Sequence, residues 1–151
     1  MKIIEGDLIK LALDGEFDVI VHGCNCFCSM GAGIAKKIKD LFPEAYDADL
    51  QTEKGSRDKL GSISYTNVQR GKNEFTIVNG YTQFSAGGSG VLVDYVALLS
   101  VMKGIKSNFS GRRIGYPMIG AGLAKGDWSI ISEIIDEQLQ DENHTLVKYV
   151  P

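Results

Sequence analysis

Apolar and polar positions divide the chain into short apolar runs and longer stretches with helical spacing. The short runs are rich in Ile, Val, Tyr and Phe and predict six β-strands. Several of them are apolar enough for a sheet that is covered on both faces. The predicted strands are residues 2–4, 18–22, 61–67, 75–79, 113–117 and 145–150.

Between the predicted strands, apolar residues recur three and four positions apart, which places them on one stripe of a helix. Besides the helices that carry the two stripes listed below, a third helix is predicted over residues 31–42. Pro43 ends it because proline disfavours a helical conformation in the residue before it. A short helix over residues 44–52 follows. Strands that alternate with helices are typical of an α/β fold. The two clearest stripes are Val91, Tyr95, Leu98, Leu99, Met102 and Ile105, and Trp128, Ile131, Ile135 and Leu139.

Length and composition favour one domain over residues 1–151. Of the 151 residues, 44% are apolar, which is enough for one core. No stretch approaches the roughly 20 apolar residues that span a bilayer, and the N-terminus lacks a signal-peptide pattern, so a cytoplasmic location is expected. The formal net charge is −3, and no basic stripe is present, which disfavours nucleic acid as the main partner.

The three cysteines, Cys24, Cys26 and Cys28, lie within five residues of one another. Cysteines this close rarely pair in a disulfide, and reduced thiols agree with a reducing compartment. A zinc site needs four ligands with CxxC-type spacing, and only His22 and His144 could complete one. The pattern therefore disfavours a bound metal, and no cofactor is expected.

The first candidate for chemistry is the segment after the second predicted strand, VIVHGCNCFCSMGAGIAKK. A buried strand runs into a loop, and a helix follows. Gly31 and Gly33 have no side chain to block an approaching ligand, so their N–H groups and those of the following helix can face an anion. Glycines here also suit tight turns and close packing, and the motif MGAGIA alone does not separate these alternatives.

A second segment, IGYPMIGAGLAKGDW, repeats this arrangement with Gly120, Ala121 and Gly122. Ligands of α/β sheets bind at the carboxyl ends of the strands, where two such loops would suit one pyrophosphate. Neither loop is GxxxxGK[ST], which argues against a nucleotide triphosphatase. The GxGxxG fingerprint of a dinucleotide-binding dehydrogenase is only partly present.

Together, GDL at residues 6–8, VIVHGCNC, MGAGIAKKIKDLFPEAYDAD, NGYTQ and PMIGAGLAKGDW resemble macrodomains over nearly the whole chain, in particular those encoded by tailed bacteriophages. The resemblance implies a three-layer α/β/α fold with a mixed sheet of about six strands. It also implies that ADP-ribose or ADP-ribose 1″-phosphate lies across the carboxyl ends of the central strands. If the chain is encoded by a phage, its location would be the host cytoplasm.

The resemblance also assigns roles to individual residues. Asp7, beside Leu8, would bind the adenine amino group, and Asn25 would reach the distal ribose. Asp7 could instead cap a turn, and Asn25 could bond to the loop backbone. Tyr81 and Phe84 could cover the ligand or pack in the core. The two sides of the diphosphate would be held by Gly31, Ala32, Gly33 and Ile34 and by Gly120, Ala121, Gly122 and Leu123.

His22 and Asp127 are the candidate catalytic residues, with Asn25 orienting the distal ribose. A histidine at a strand end can titrate near neutral pH, and an aspartate beside the second loop could orient water or accept a proton. Asp127 also stands where a helix N-cap is expected, and His22 could be a hydrogen-bonded core imidazole. If Asp127 is catalytic, Asp127→Asn should lower turnover roughly a hundredfold.

One branch of the family removes ADP-ribose from protein glutamate with a lysine and an aspartate, and this sequence has Gln83 and Ala124 at those positions. GAGLAKGDW instead resembles the branch that hydrolyses ADP-ribose 1″-phosphate to ADP-ribose and phosphate. We therefore expect a phosphatase of modest activity. The alternatives are a non-catalytic ADP-ribose reader and a hydrolase that removes ADP-ribose from modified macromolecules, with nucleic acid a partner only as such a substrate.

Overall fold

The computed structural model describes residues 1–151 and contains one six-stranded sheet in the order β1-β6-β5-β2-β4-β3. Neighbouring strands are parallel except β3 and β4, which form an antiparallel pair, so the sheet is mixed. The strands are β1 Lys2–Gly6, β2 Val19–Cys24, β3 Ile63–Arg70, β4 Asn73–Tyr81, β5 Ile114–Tyr116 and β6 His144–Tyr149.

Five α-helices and one short 3-10 turn connect the strands. Pro43 occupies the first turn of α3, so one proline both ends α2 and begins the next helix. No helix is long and apolar enough to cross a membrane. The helices are α1 Leu8–Leu13, α2 Gly33–Leu41, α3 Pro43–Leu50, α4 Tyr95–Phe109 and α5 Trp128–Gln138, and the 3-10 turn is Arg57–Lys59.

Helices cover both faces of the sheet, which gives three layers. On β2, Val19 and Val21 point to the core beneath α4 and α5, whereas Ile20 points to the core beneath α1, α2 and α3. This alternation follows from the pleat of a strand, and it explains why β2 is apolar at every position from Val19 to Val21. The predicted three-layer α/β/α fold with a six-stranded mixed sheet is confirmed.

Most predicted elements are confirmed, with shifted ends. All six strands form, and the stripe from Tyr95 to Ile105 lies on α4, although Val91 precedes the helix and is exposed. Leu139 follows the end of α5 but is buried as expected. The helix predicted from Gly31 begins at Gly33, because Ala32 has an extended backbone.

Candidate functional site

A cavity of about 390 Å³ lies at the carboxyl ends of β2 and β5. Loops that follow these two strands form its opposite walls. We call residues 25–32 the first loop and residues 117–127 the second loop. The lining residues are Gly23, Cys24, Asn25, Ser29, Gly31, Ala32, Gly33, Ile34, Ala35, Gln83, Ala86, Leu92, Pro117, Met118, Ile119, Gly120, Gly122, Leu123 and Ala124.

The first loop leads into the N-terminus of α2, which no side chain caps. The backbone N–H groups of Gly33, Ile34 and Ala35 donate to no acceptor in the protein. They line the cavity, together with Gly31 and Ala32. Gly33 has a φ of 59°, a left-handed conformation that favours glycine. Free N–H groups and the positive end of the helix dipole therefore face one side of the cavity, which is the arrangement that binds anions.

The second loop supplies N–H groups on the opposite side. Gly120, Gly122 and Leu123 line the cavity, and their N–H groups have no acceptor in the protein. Ala121 differs, because its N–H donates to the Met118 carbonyl at 3.2 Å and its side chain packs on the core. The structure thus places Ala121 outside the cavity lining, unlike the other three residues of the expected set.

A smaller cavity of about 300 Å³ continues the cleft toward β1 and β6. Gly33, Ile34 and Pro117 line both cavities, so the two form one cleft. Asp7 and Leu8, which the resemblance assigns to the ligand, line the smaller one, and the contact of Asp7 with adenine stays a prediction. Asp7 also caps α1, since its Oδ1 accepts the Lys10 N–H at 3.2 Å. Asp7 therefore caps α1 and also lies on the cleft.

Asn25 lines the larger cavity but its amide is already bonded to the first loop. Its Nδ2 donates to the Ser29 carbonyl at 2.8 Å, and its Oδ1 accepts the Phe27 N–H at 2.9 Å. Asn25 thus holds the loop in a turn ahead of the free N–H groups. The structure therefore shows that Asn25 shapes the first loop, whereas its contact with the distal ribose stays a prediction.

His22 lies outside the cleft lining, with 1% of its surface exposed. Its Nε2 donates to Asn79 Oδ1 at 2.7 Å, and Cys24 Sγ lies 3.6 Å from the same nitrogen. Burial lowers the pKa of His22 to about 4. His22 is therefore a hydrogen-bonded core imidazole that is neutral at pH 7. It does not reach the cleft, so it cannot transfer a proton there directly.

This buried imidazole predicts a pH dependence of stability. His22 titrates near 4 in the folded protein and near 6.5 when unfolded. Between these values the unfolded chain binds the proton, so stability falls as the pH drops. From pH 7 to pH 5, wild type should lose about 2 kcal/mol more than His22→Gln, in which the amide can replace the Nε2 donor. Urea unfolding at both pH values measures this, and equal losses would contradict the buried neutral histidine.

Asp127 is exposed and is the N-cap of α5. Its Oδ1 accepts the Ser129 N–H at 2.9 Å and the Ser129 hydroxyl at 2.7 Å. The hydrogen bonds from Ser129 lower the pKa of Asp127. Asp127 lines neither cavity. The structure therefore shows a helix cap where a catalytic carboxylate was expected, and it does not bring Asp127 and His22 together.

Tyr81 is also not a cleft residue, in contrast to the expected ligand contact. It is fully buried and lines neither cavity, and its hydroxyl donates to Asp49 Oδ1 at 2.7 Å. Burial raises the pKa of this phenol. Phe84 is half-buried, stacks edge-on against Phe27 and lies under the guanidinium of Arg57. Of the two alternatives, covering the ligand or packing in the protein, the structure shows packing for both Tyr81 and Phe84.

The larger cavity has no acidic, basic or histidine side chain in its lining. Its one titratable group is the Cys24 thiol, whose pKa burial raises well above the ordinary value. Gln83 and Ala124, which replace the lysine and aspartate of the deacylating branch, both line the cavity. No group of three or more His, Cys, Asp or Glu side chains is arranged to hold a metal. Selection of an anion would therefore depend on backbone N–H groups.

Two polar residues of the smaller cavity, Lys37 and Tyr149, were not predicted from the sequence. The Lys37 ammonium lies 4.7 Å from the centre of the Tyr149 ring. Lys37 is one helical turn beyond Gly33, and Tyr149 pairs with Gly6 at the end of β6, beside Asp7. The spacing of Lys37 from Gly33 was a signal that could have found the lysine, whereas Tyr149 comes beside Asp7 only through the pairing of β1 with β6.

Comparison with known proteins identifies a relative over the whole chain and shorter matches to named enzymes. A 17.5 kDa protein from the tk–vs intergenic region of Enterobacteria phage T4, described as uncharacterized, is 37% identical over 158 residues, which cover all of this chain and 97% of that protein. An ADP-ribose 1″-phosphate phosphatase of Aspergillus oryzae is 47% identical over 47 residues, covering 31% of this chain and 22% of that enzyme. No family model matches the chain.

Solved structures share the fold at low sequence identity. The macrodomain of Thermus aquaticus DarG superposes with a TM-score of 0.71 at 22% identity, covering 99% of this chain and 97% of that one. Thermosipho africanus DarTG in complex with ADP-ribose gives a TM-score of 0.75 at 19% identity, covering 99% of this chain and 41% of that one. The fold of the chain is thus the macrodomain fold.

Proposed function

The chain belongs to the family of the 17.5 kDa protein of phage T4 and has the macrodomain fold, and from the geometry of its cleft we propose that it binds ADP-ribose. The observation that carries this proposal is the pair of loops with free N–H groups on opposite walls of one cavity. A diphosphate between them accepts hydrogen bonds from both sides. ADP-ribose bound to a structural neighbour supports the choice of ligand.

The two cavities set the orientation that we propose for ADP-ribose in the cleft. The adenosine lies in the smaller cavity, where a free oxygen of Asp7 accepts the adenine amino group and Leu8 packs against the ring. The diphosphate lies between Gly31–Ile34 and the second loop, with Gly120, Gly122 and Leu123. Leu123 is 71% exposed and reaches toward Gly33, so it covers the diphosphate from the solvent side. The distal ribose then meets the turn that Asn25 holds.

Calorimetry with purified protein tests this proposal. We expect ADP-ribose to bind with a micromolar dissociation constant, and AMP to bind more weakly because it lacks the second phosphate and the distal ribose. AMP is the matched control, since it can fill only the smaller cavity and one phosphate position. Equal affinities for AMP and ADP-ribose, or no binding of either, would contradict the proposal.

A second candidate is hydrolysis of ADP-ribose 1″-phosphate to ADP-ribose and phosphate. Short matches to fungal phosphatases of this name favour it, at 47% identity over 47 residues and 51% over 43. Water would attack phosphorus, and the bond from phosphorus to the ribose oxygen would break. With no carboxylate or imidazole in the larger cavity, catalysis would depend on orientation and on N–H groups that stabilise the developing charge. We therefore expect slow turnover.

Release of phosphate from ADP-ribose 1″-phosphate separates the two candidates. Turnover that saturates with the substrate and is inhibited by ADP-ribose would support the phosphatase. Micromolar binding of ADP-ribose without release of phosphate would leave a binding protein and remove the enzyme. The same preparation serves both measurements, so a folding defect cannot be mistaken for missing catalysis.

Asp127→Asn is expected to leave both ADP-ribose affinity and any phosphate release unchanged. Asparagine caps helices about as well as aspartate, and the Asp127 carboxylate lines neither cavity. Asp127→Ala serves as the control for the cap and should lower the melting temperature. If Asp127→Asn reduced phosphate release roughly a hundredfold with an unchanged melting temperature, the carboxylate would return to the catalytic set.

A further inference from the structure

A buried ion pair lies behind the first loop, on the side away from the cleft. Lys59 and Asp49 are 6% and 1% exposed, and Lys59 Nζ is 3.4 Å from Asp49 Oδ1. The same nitrogen is 3.4 Å from Cys28 Sγ and 4.4 Å from the centre of the Tyr81 ring. An amine and a thiol are therefore in contact in a largely enclosed site, in which Cys28 keeps 8% of its surface exposed.

The second oxygen of Asp49 marks this cluster as chemically unusual. Oδ2 is buried and has no hydrogen-bond partner, while Oδ1 accepts from both Tyr81 and Lys59. A buried carboxylate oxygen without a donor costs free energy, and a proton taken from Lys59 would relieve that cost. Oδ2 of Asp49 is thus an unoccupied acceptor close to the Lys59 ammonium.

Cys28 is the one thiol among the three that contacts an amine. Cys24 Sγ lies against the His22 ring, and Cys26 Sγ donates to the Gln83 carbonyl. Burial raises the pKa of Cys24 well above its ordinary value and also raises that of Cys26, so both remain protonated thiols. Cys28 Sγ donates to the Asp49 carbonyl oxygen at 3.3 Å, which holds it beside Lys59.

We propose that Cys28 and Lys59 form an oxidative modification site, at which a peroxide joins Sγ to Nζ through a sulfenamide bond. Peroxide first transfers an oxygen to Cys28: its O–O bond breaks, an S–O bond forms and water leaves, giving a sulfenic acid. Lys59 passes one proton to Asp49, and its amine attacks Sγ. The S–N bond forms and the S–O bond breaks, and hydroxide takes a second nitrogen proton and leaves as water. One peroxide is reduced to two waters.

The modification would act on the cleft through the first loop. Cys28 has a left-handed φ of 54°, and the carbonyl of the next residue, Ser29, accepts the Asn25 amide. Drawing Sγ toward Lys59 moves the backbone at the turn that precedes the free N–H groups. This consequence rests on the proposed binding of ADP-ribose, whereas the bond between Cys28 and Lys59 does not.

Peptide mapping after peroxide treatment tests the bond itself. The wild-type protein is treated with hydrogen peroxide, digested without reductant and analysed by mass spectrometry. We expect the peptide with Cys28 linked to the peptide with Lys59, at a mass two hydrogen atoms below their sum, and separation of the two by dithiothreitol. Cys28→Ser is the control and should give no linked peptide. Lys59 in unmodified peptides, with Cys28 as a thiol, a sulfinic acid or a disulfide to Cys24 or Cys26, would overturn the proposal.

A binding measurement on the same samples tests the consequence. Peroxide should weaken ADP-ribose binding roughly tenfold or more in wild type, and dithiothreitol should restore it. Cys28→Ser should bind equally before and after peroxide. A linked peptide with unchanged affinity would retain the modification site and overturn its effect on the cleft. Failure of ADP-ribose to bind the untreated protein would instead contradict the proposed function and leave the mapping result valid.

Discussion

Gly122→Glu is expected to weaken ADP-ribose binding at least roughly a hundredfold while the protein stays folded. A Cβ at Gly122 would meet no heavy atom within 4 Å, and Gly122 has no left-handed φ, so a side chain fits there without strain. The new carboxylate would accept the free N–H groups of the second loop and repel the diphosphate. Calorimetry with ADP-ribose measures the loss, and thermal unfolding checks the fold.

Gly122→Gln is the matched control, because glutamine has the shape of glutamate without its charge. We expect it to lose roughly tenfold or less, and the difference between the two variants to shrink as salt is added. Gly33 is a poorer test position, since its φ of 59° strains any side chain and mixes folding with binding. Equal affinity in Gly122→Glu and wild type would remove the second loop from the binding site.

The sequence predicted the sheet and both loops because their signals are local. A buried strand is an apolar run, and a backbone anion site needs glycine at positions that both MGAGIA and IGAGLA display. The proline between α2 and α3 marked a boundary in the same way. Helix α1 was missed, since LIKLAL supplies only six residues and its apolar face is too short to show a period.

Errors at the site arose because the sequence does not show which residues near a strand end reach the cleft. His22 and Asn79 are register partners, as are Cys24 and Tyr81, yet of these four residues only Cys24 lines the cleft. A sequence shows that a residue ends a strand, but alternation between two buried faces leaves both sides apolar. His22 and Tyr81 were therefore assigned to the cleft, whereas their side chains are enclosed in the core, where His22 bonds to Asn79 and Tyr81 to Asp49.

The buried ion pair had no sequence signal at all. Asp49 and Lys59 lie in AYDADLQTEKGSRDKL, a charged stretch that composition assigns to solvent. Most of its charged side chains are indeed exposed, and these two are buried. The tertiary contacts of Asp49 with Tyr81 and of Lys59 with Cys28 decide which charges are enclosed. Neither contact leaves a periodic trace along the chain.

Lys59→Met is expected to lower the free energy of unfolding by about 3–5 kcal/mol. Methionine fills a similar volume, so the loss comes from Asp49, whose buried carboxylate would keep the Tyr81 hydroxyl and lose its counter-charge. Such a loss is a large share of the roughly 5–15 kcal/mol that stabilises a domain. Asp49→Asn with Lys59→Met is the control: it removes both charges and keeps an acceptor for Tyr81, so most of the stability should return. Urea unfolding of the three proteins measures this. A free energy of unfolding for Lys59→Met within about 1 kcal/mol of wild type would show that no buried charge depends on the lysine.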